Sequence, residues 1–120
     1  MFTINKQFHF SASHVLTGLS EGHQCGRLHG HNYVLNVFLE SYLLNNVGFV
    51  QDYGDLSEIK NYVDDNLDHK HLNDFFTFNP TSENICKFLF DTFHKIYPMI
   101  TAIELSETPK TNCRYELKNK

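Results

Sequence analysis

His29-Gly30-His31-Asn32-Tyr33-Val34-Leu35-Asn36-Val37-Phe38-Leu39-Glu40 sets the fold class of this chain. Tyr33, Leu35, Val37 and Leu39 recur at every second position, and Asn32, Asn36 and Glu40 fall between them. Period two with one apolar face is a half-buried strand. His29 and His31 have the parity of Tyr33 and Leu35, so both imidazoles start on the apolar face. Residues i and i+2 of a strand leave the same face about 6.6–6.8 Å apart along the backbone. From there two rings can lean onto one ion at the ~2.0–2.1 Å of a zinc–nitrogen bond. Gly30 between them puts no side chain on the other face.

Upstream, Phe2, Ile4, Phe8, Phe10 and Ala12 share one parity and Thr3, Asn5, Gln7 and His9 the other, which is a second half-buried strand. His14 continues its apolar parity. The intervening Leu16–Arg27 stretch holds Gly18, Gly22 and Gly26 and reads as a loop. If the two strands pair across that loop, His14, His29 and His31 converge at one edge of a core. A lone His-x-His is weak evidence for a ligand; a third histidine at matching parity strengthens it. Three neutral imidazoles without a thiolate favour Zn²⁺ with a water or substrate in the fourth position, although spacing alone leaves other divalent ions open.

Downstream, a short apolar run, Val47 to Val50, closes the first half. Asp55 with Glu58 reads as a helix N-cap with its capping-box partner, followed by Leu56, Ile59, Val63 and Leu67 at helical spacing. A loop carrying Phe75, Phe76 and Phe78 leads to Pro80-Thr81-Ser82-Glu83, which opens a second helix. Its stripe is Ile85, Phe88, Leu89, Phe93 and Ile96, and Pro98 stops it. Strands are expected over 100–108 and 113–117. Strands, two helices, then strands give an α+β architecture, with helices packed on one face of an antiparallel sheet.

The chain has 120 residues, with no repeat or Pro/Gly-rich linker, and is expected to form a single domain over 1–120. Ten Lys+Arg against fourteen Asp+Glu leave a formal charge of −4, which offers nucleic acid no electrostatic footprint. No apolar run approaches the ~18 residues of a membrane span. Met1-Phe2-Thr3-Ile4-Asn5-Lys6 lacks a secretory pattern, so a cytoplasmic location is expected. Cys25, Cys86 and Cys113 form an odd set without a Cys-x-x-Cys pair, which argues against a disulfide framework or a cysteine-rich zinc cluster.

Cys25 lies four residues before His29 in the His23–Arg27 loop. It reads either as a bystander or, beside a metal or Arg27, as a thiolate able to act as base or nucleophile. Asp68-His69 is either a solvated helix end or a carboxylate–imidazole relay. Glu107 shares parity with Ile103 and Leu105, and an inward carboxylate beside an apolar stripe needs partners such as two adjacent N–H groups of a ligand. His9, His23, His71 and His94 read as surface residues, Cys86 and Cys113 as small core residues, and the phenylalanines as core or subunit contact.

In order along the chain, Phe8-His9-Phe10-Ser11-Ala12-Ser13-His14, Cys25-Gly26-Arg27-Leu28-His29-Gly30-His31-Asn32-Tyr33 and Gly48-Phe49-Val50-Gln51-Asp52-Tyr53 make a recognisable series. Leu67-Asp68-His69, Leu72-Asn73, Pro80-Thr81-Ser82-Glu83-Asn84 and Ser106-Glu107-Thr108-Pro109 continue it. The sequence resembles the 6-pyruvoyltetrahydropterin synthase-like family, and its Cys-x-x-x-His-Gly-His spacing resembles the 6-carboxytetrahydropterin synthase branch of queuosine (7-deazaguanine) biosynthesis. The resemblance implies the T-fold, zinc on His14, His29 and His31, Cys25 as catalytic proton acceptor, Asp68 and His69 as its relay, and Glu107 as the acid that anchors the pterin ring. It also implies a pterin triphosphate substrate, carbon–carbon lyase chemistry, and a ring-shaped homo-oligomer, typically a hexamer, with active sites at subunit interfaces. The alternatives are triphosphate elimination without carbon–carbon cleavage, or a non-catalytic zinc-stabilised binding domain.

Overall fold

A computed structural model describes residues 1–118; the last two residues of the expected domain lie outside the described residues. Five strands form one sheet: β1 (Phe2–His14), β2 (His29–Ser41), β3 (Lys70–His71), β4 (Ile100–Ser106) and β5 (Cys113–Glu116), in the order β3-β1-β2-β4-β5. The helices are α1 (Ser57–Asn66), α2 (Leu72–Phe75) and α3 (Ser82–Ile96).

The alternation read from the sequence is the alternation of burial. Phe8, Phe10, Ala12 and His14 point inward from β1, and Tyr33, Leu35, Val37 and Leu39 from β2. β1 and β2 pair antiparallel over their whole length, Phe2 opposite Ser41 and His14 opposite His29, so the two apolar faces coincide. Against that face pack Leu56, Ile59, Val63 and Leu67 around α1, and Ile85, Cys86, Leu89, Phe90 and Phe93 from α3. Burying each large aliphatic or aromatic side chain contributes about 1.5–3 kcal/mol, so this shared face dominates the stability of the sheet–helix sandwich. The other face is polar, with Ser11 Oγ donating to Asn32 Oδ1 (2.7 Å), Asn5 to Asn36 (2.9 Å) and Arg114 bridging Glu104 (2.9 Å).

Several boundaries differ from the sequence expectation. Asp55 is not the N-cap of α1: a 3₁₀ turn over Tyr53–Leu56 precedes the helix, and Asp52 caps that turn by accepting from the Gly54 N–H. The tighter turn moves the capping role upstream and leaves Asp55 to accept from Gln51 Nε2. The aromatic stretch after α1 is not a plain loop but holds β3 and the single turn α2. β3 runs parallel to β1, Ala12 opposite Lys70 and Ser13 opposite His71, so the sheet is mostly rather than wholly antiparallel. Of the Val47–Val50 run only Val50 is buried, and Ile96 of the α3 stripe is exposed. The two final strands stop at Ser106 and Glu116, one or two residues short of the expected ends. Among the described residues no helix is long and apolar enough to cross a membrane.

Candidate active site

The β1–β2 register creates the site. Ala12 opposes His31 and His14 opposes His29, so three imidazoles emerge on the core face at the end of the sheet nearest the 15–28 loop. Their centroids lie 4.5, 4.9 and 5.1 Å apart, and each ring offers one nitrogen to a set within 4.8 Å. Gly30 permits the approach: a Cβ there would meet the Ala12 carbonyl oxygen at 3.3 Å.

Backbone carbonyls fix the tautomers of two rings. His14 Nδ1 lies 2.8 Å from the Pro80 oxygen and His29 Nδ1 2.7 Å from the Arg27 oxygen. A carbonyl only accepts, so both Nδ1 atoms carry the proton and, in the neutral rings, both Nε2 atoms present lone pairs. Those two Nε2 atoms face each other at 2.9 Å. Two lone pairs at that distance repel unless a cation stands between them. His31 Nε2 is also buried and has no hydrogen-bond partner, although Glu107 Oε2 lies 3.5 Å away. Burial holds His14 and His31 below the ordinary histidine value, keeping the neutral, metal-binding form. An all-imidazole donor set with an orphaned nitrogen fits a borderline-soft divalent ion with a vacant position. Tyr33, wholly buried and stacked on Phe10 at 4.7 Å, places its hydroxyl 3.3 Å from His14 Nδ1 and supports that ring from behind.

Glu107 stands between this cluster and a cavity. Its Oε1 accepts from Ser82 Oγ at 2.6 Å, at the first residue of α3, where the positive end of a helix favours a carboxylate. The cavity, about 540 Å³, is lined by Leu16, Ser82, Leu105, Glu107, Thr111 and Cys113 among others, a size that suits a small-molecule ligand. Glu107 is thus an inward carboxylate beside an apolar stripe, with Oε2 outside its bond to Ser82.

Other expected residues lie elsewhere. Cys25 occupies a 3₁₀ turn over Gln24–Gly26; its N–H donates to His23 Nδ1, its carbonyl accepts from the Leu16 N–H, and its thiol is free and half-buried. Asp68 and His69 fasten to the edge of β1 that faces away from β2. Asp68 Oδ1 accepts from the Ser11 N–H (2.9 Å) and Oδ2 lies 3.0 Å from His69 Nδ1. The Ser11 N–H holds the Asp68 carboxyl below the usual carboxylate range. His69 has a left-handed backbone (φ 59°), unusual for a residue with a Cβ, and its side chain is 83% exposed. Among the described residues no hydrogen bond joins this pair to Cys25 or to the three clustered histidines.

Two histidines expected at the surface are structural. His71 Nδ1 pairs with Ser13 Oγ (2.9 Å), and His94, stacked on Phe90, bonds the Ile100 carbonyl (2.9 Å). Cys86 is a core residue as expected; burial pushes its thiol up to about 12 while it donates to the Ile103 carbonyl. Cys113 is half-buried and packs against the core, and it also lines the cavity. The roles of Pro80, Tyr33 and Ser82 in orienting His14 and Glu107 escaped the sequence reading, because a carbonyl or hydroxyl that orients a remote side chain leaves no local periodicity.

The model of the 6-pyruvoyl tetrahydropterin synthase family matches residues 3–118. The chain belongs to that family. The 6-carboxy-5,6,7,8-tetrahydropterin synthase of Bacillus subtilis (strain 168) is 32% identical over 130 residues, covering 98% of this chain and 86% of the relative. The synthase of the same name from Synechocystis sp. is 34% identical over 122 residues, 96% of this chain and 93% of the relative. The solved 6-pyruvoyl tetrahydropterin synthase of Caenorhabditis elegans superimposes with a TM-score of 0.85 at 28% identity, over 98% of this chain and 96% of that one. The fold is therefore the T-fold, and the protein is an enzyme of the tetrahydropterin synthase type. The three convergent histidines of this chain are a site able to hold a metal ion.

Proposed function

We propose that the protein is a zinc-dependent 6-carboxy-5,6,7,8-tetrahydropterin synthase, a cytoplasmic enzyme of queuosine biosynthesis formed by one domain over 1–120. It would convert 7,8-dihydroneopterin triphosphate and one water into 6-carboxy-5,6,7,8-tetrahydropterin, acetaldehyde and triphosphate. The observation that carries this reading is the convergence of His14, His29 and His31 beside a carboxylate-walled cavity, in a chain whose relatives bear that name.

His14, His29 and His31 would hold the ion, which supplies Lewis acidity to side-chain oxygens of the substrate. Glu107 accepts from the 2-amino and N3–H groups of the pterin ring, and so fixes the side chain over the histidines. Cys25 takes a proton from a side-chain carbon as general base. His69 returns a proton as general acid, its ring oriented by Asp68 as the observed 3.0 Å contact allows. With the His69 ring directed outward, this step is assigned to the site of a neighbouring copy in a homo-oligomer, of hexameric size by family resemblance. A large exposed apolar set (Phe2, Tyr42, Leu43, Leu44, Val47 and Phe49) supports burial against such copies.

Incubating purified protein with 7,8-dihydroneopterin triphosphate, with metal analysis and mass spectrometry of the products, tests the assignment. The expected result is about one zinc per chain, a carboxylated tetrahydropterin and acetaldehyde. A product that keeps all three side-chain carbons would instead establish triphosphate elimination alone, the reaction suggested by the family name.

A further inference from the structure

Pro80, Thr81 and Ser82 serve both halves of the site from three consecutive positions. The Pro80 carbonyl orients the ring of His14, Thr81 caps α3 by accepting from the Asn84 N–H, and Ser82 donates to Glu107. This short segment therefore sets the distance between a histidine of the cluster and the carboxylate on the cavity wall.

That distance is a hazard as well as an asset. Glu107 Oε2 stands 3.5 Å from His31 Nε2, the orphaned nitrogen, yet the Glu107 oxygens fall outside the donor set that lies within 4.8 Å. Carboxylate oxygen is a good ligand for zinc, at about 2.0–2.2 Å. A small rotation of the Glu107 side chain would carry it towards an ion on the histidines. Such an ion would have a carboxylate in its vacant position, and the cavity, which Glu83 also lines, would lose the Glu107 oxygens as free acceptors. The 2.6 Å bond from Ser82 Oγ to Oε1 opposes that rotation, because a hydroxyl bonded to a carboxylate is among the stronger tethers available to a neutral side chain.

We propose that Ser82 is a positioning residue that holds Glu107 on the cavity wall and off the metal ion, an inference that rests on the proposed function. It keeps the ion open to substrate oxygens and the carboxylate free for the N–H groups of the ring.

The test uses the full chain loaded with Co²⁺, whose visible spectrum reports its ligands, together with chelator stripping and binding of two ring probes. Pterin carries the 2-amino group, and lumazine has an oxygen in its place. Ser82→Ala is expected to change the cobalt spectrum and slow stripping by about tenfold as a carboxylate joins the ligand set. It should weaken pterin by about tenfold, the scale of one charge-assisted hydrogen bond, and erase the preference for pterin over lumazine. Ser82→Thr, which keeps a hydroxyl, should behave as wild type. Ser82→Val, equal to Thr in shape, should fold as Ser82→Thr does and show the spectral, stripping and ring-preference changes expected of Ser82→Ala, which keeps the test decisive if the alanine variant unfolds. Adding Glu107→Gln to Ser82→Ala should return the spectrum and stripping rate to wild type. A merely structural serine would alter the melting temperature and leave spectrum and ring preference unmoved, and that result overturns the inference. A wild-type chain that takes up no cobalt, or binds neither ring, overturns the proposed function instead.

Discussion

Two pieces of imidazole chemistry are fastened to the same strand and are built in opposite ways. At the end of β1, His14 is wholly buried, pinned by a backbone carbonyl, and joined by two rings from β2. Along the outer edge of β1, His69 has a left-handed backbone whose N–H donates to the Ser11 carbonyl (2.6 Å), while its side chain is 83% exposed and lies against its neighbour Asp68. The first arrangement is complete within one chain. The second has a fixed base and a ring that meets solvent. Burial and carbonyl anchors suit a group that must stay neutral and still; exposure leaves a ring able to exchange protons with its surroundings.

The largest effect should come from the buried arrangement. His29→Ala removes one donor of three and should abolish both metal retention and turnover, since altering even an outer-shell partner costs about 10–100-fold in metal affinity. Metal content measured after gel filtration checks this, and full retention would dissolve the ligand set. His69→Ala sharpens the contrast. Turnover should fall about 10²–10⁴-fold, the scale of a general acid–base group, with metal content and melting temperature unchanged. A loss of metal in that variant would mean the two regions are not separate.

The smallest effect concerns stability. The carboxyl of Asp68 titrates lower in the folded chain than its ordinary value of 3.8, mainly because it accepts from the Ser11 N–H. The unfolded chain therefore binds more protons there in acid, and the contribution is present at neutral pH and lost as pH falls through the folded-state value. Asp68→Asn should lower the melting temperature slightly at pH 7. The gap should begin to close below about pH 4 and vanish once the wild-type carboxyl is protonated. Parallel melting curves across pH 7 to 2.5 would remove the Ser11–Asp68 bond from the account.

The depth to which these features were legible follows from their range. Tyr33, Leu35, Val37 and Leu39 announce their face through a period of two, and the same parity led to His14, His29 and His31. Long amphipathic helices were equally plain, with Leu56, Ile59, Val63 and Leu67 all buried. β3 and α2, two and four residues long, are shorter than any periodic window. The exchange of Asp52 for Asp55 as cap depended on a 3₁₀ turn that no spacing encodes. Within the site, Glu107 was visible by parity, but its tether to Ser82 spans 25 positions and the His14–Pro80 bond spans 66. Such contacts exist only once the sheet and α3 have packed.

At Gly30 the two longest strands lie so near that even a methyl group would press on the Ala12 carbonyl. The gap between those backbones is the ruler against which His14 and His29 are measured. The missing side chain at position 30 therefore reaches beyond packing: it lets the two backbones close up until the rings of His14 and His29 stand 4.5 Å apart, centroid to centroid.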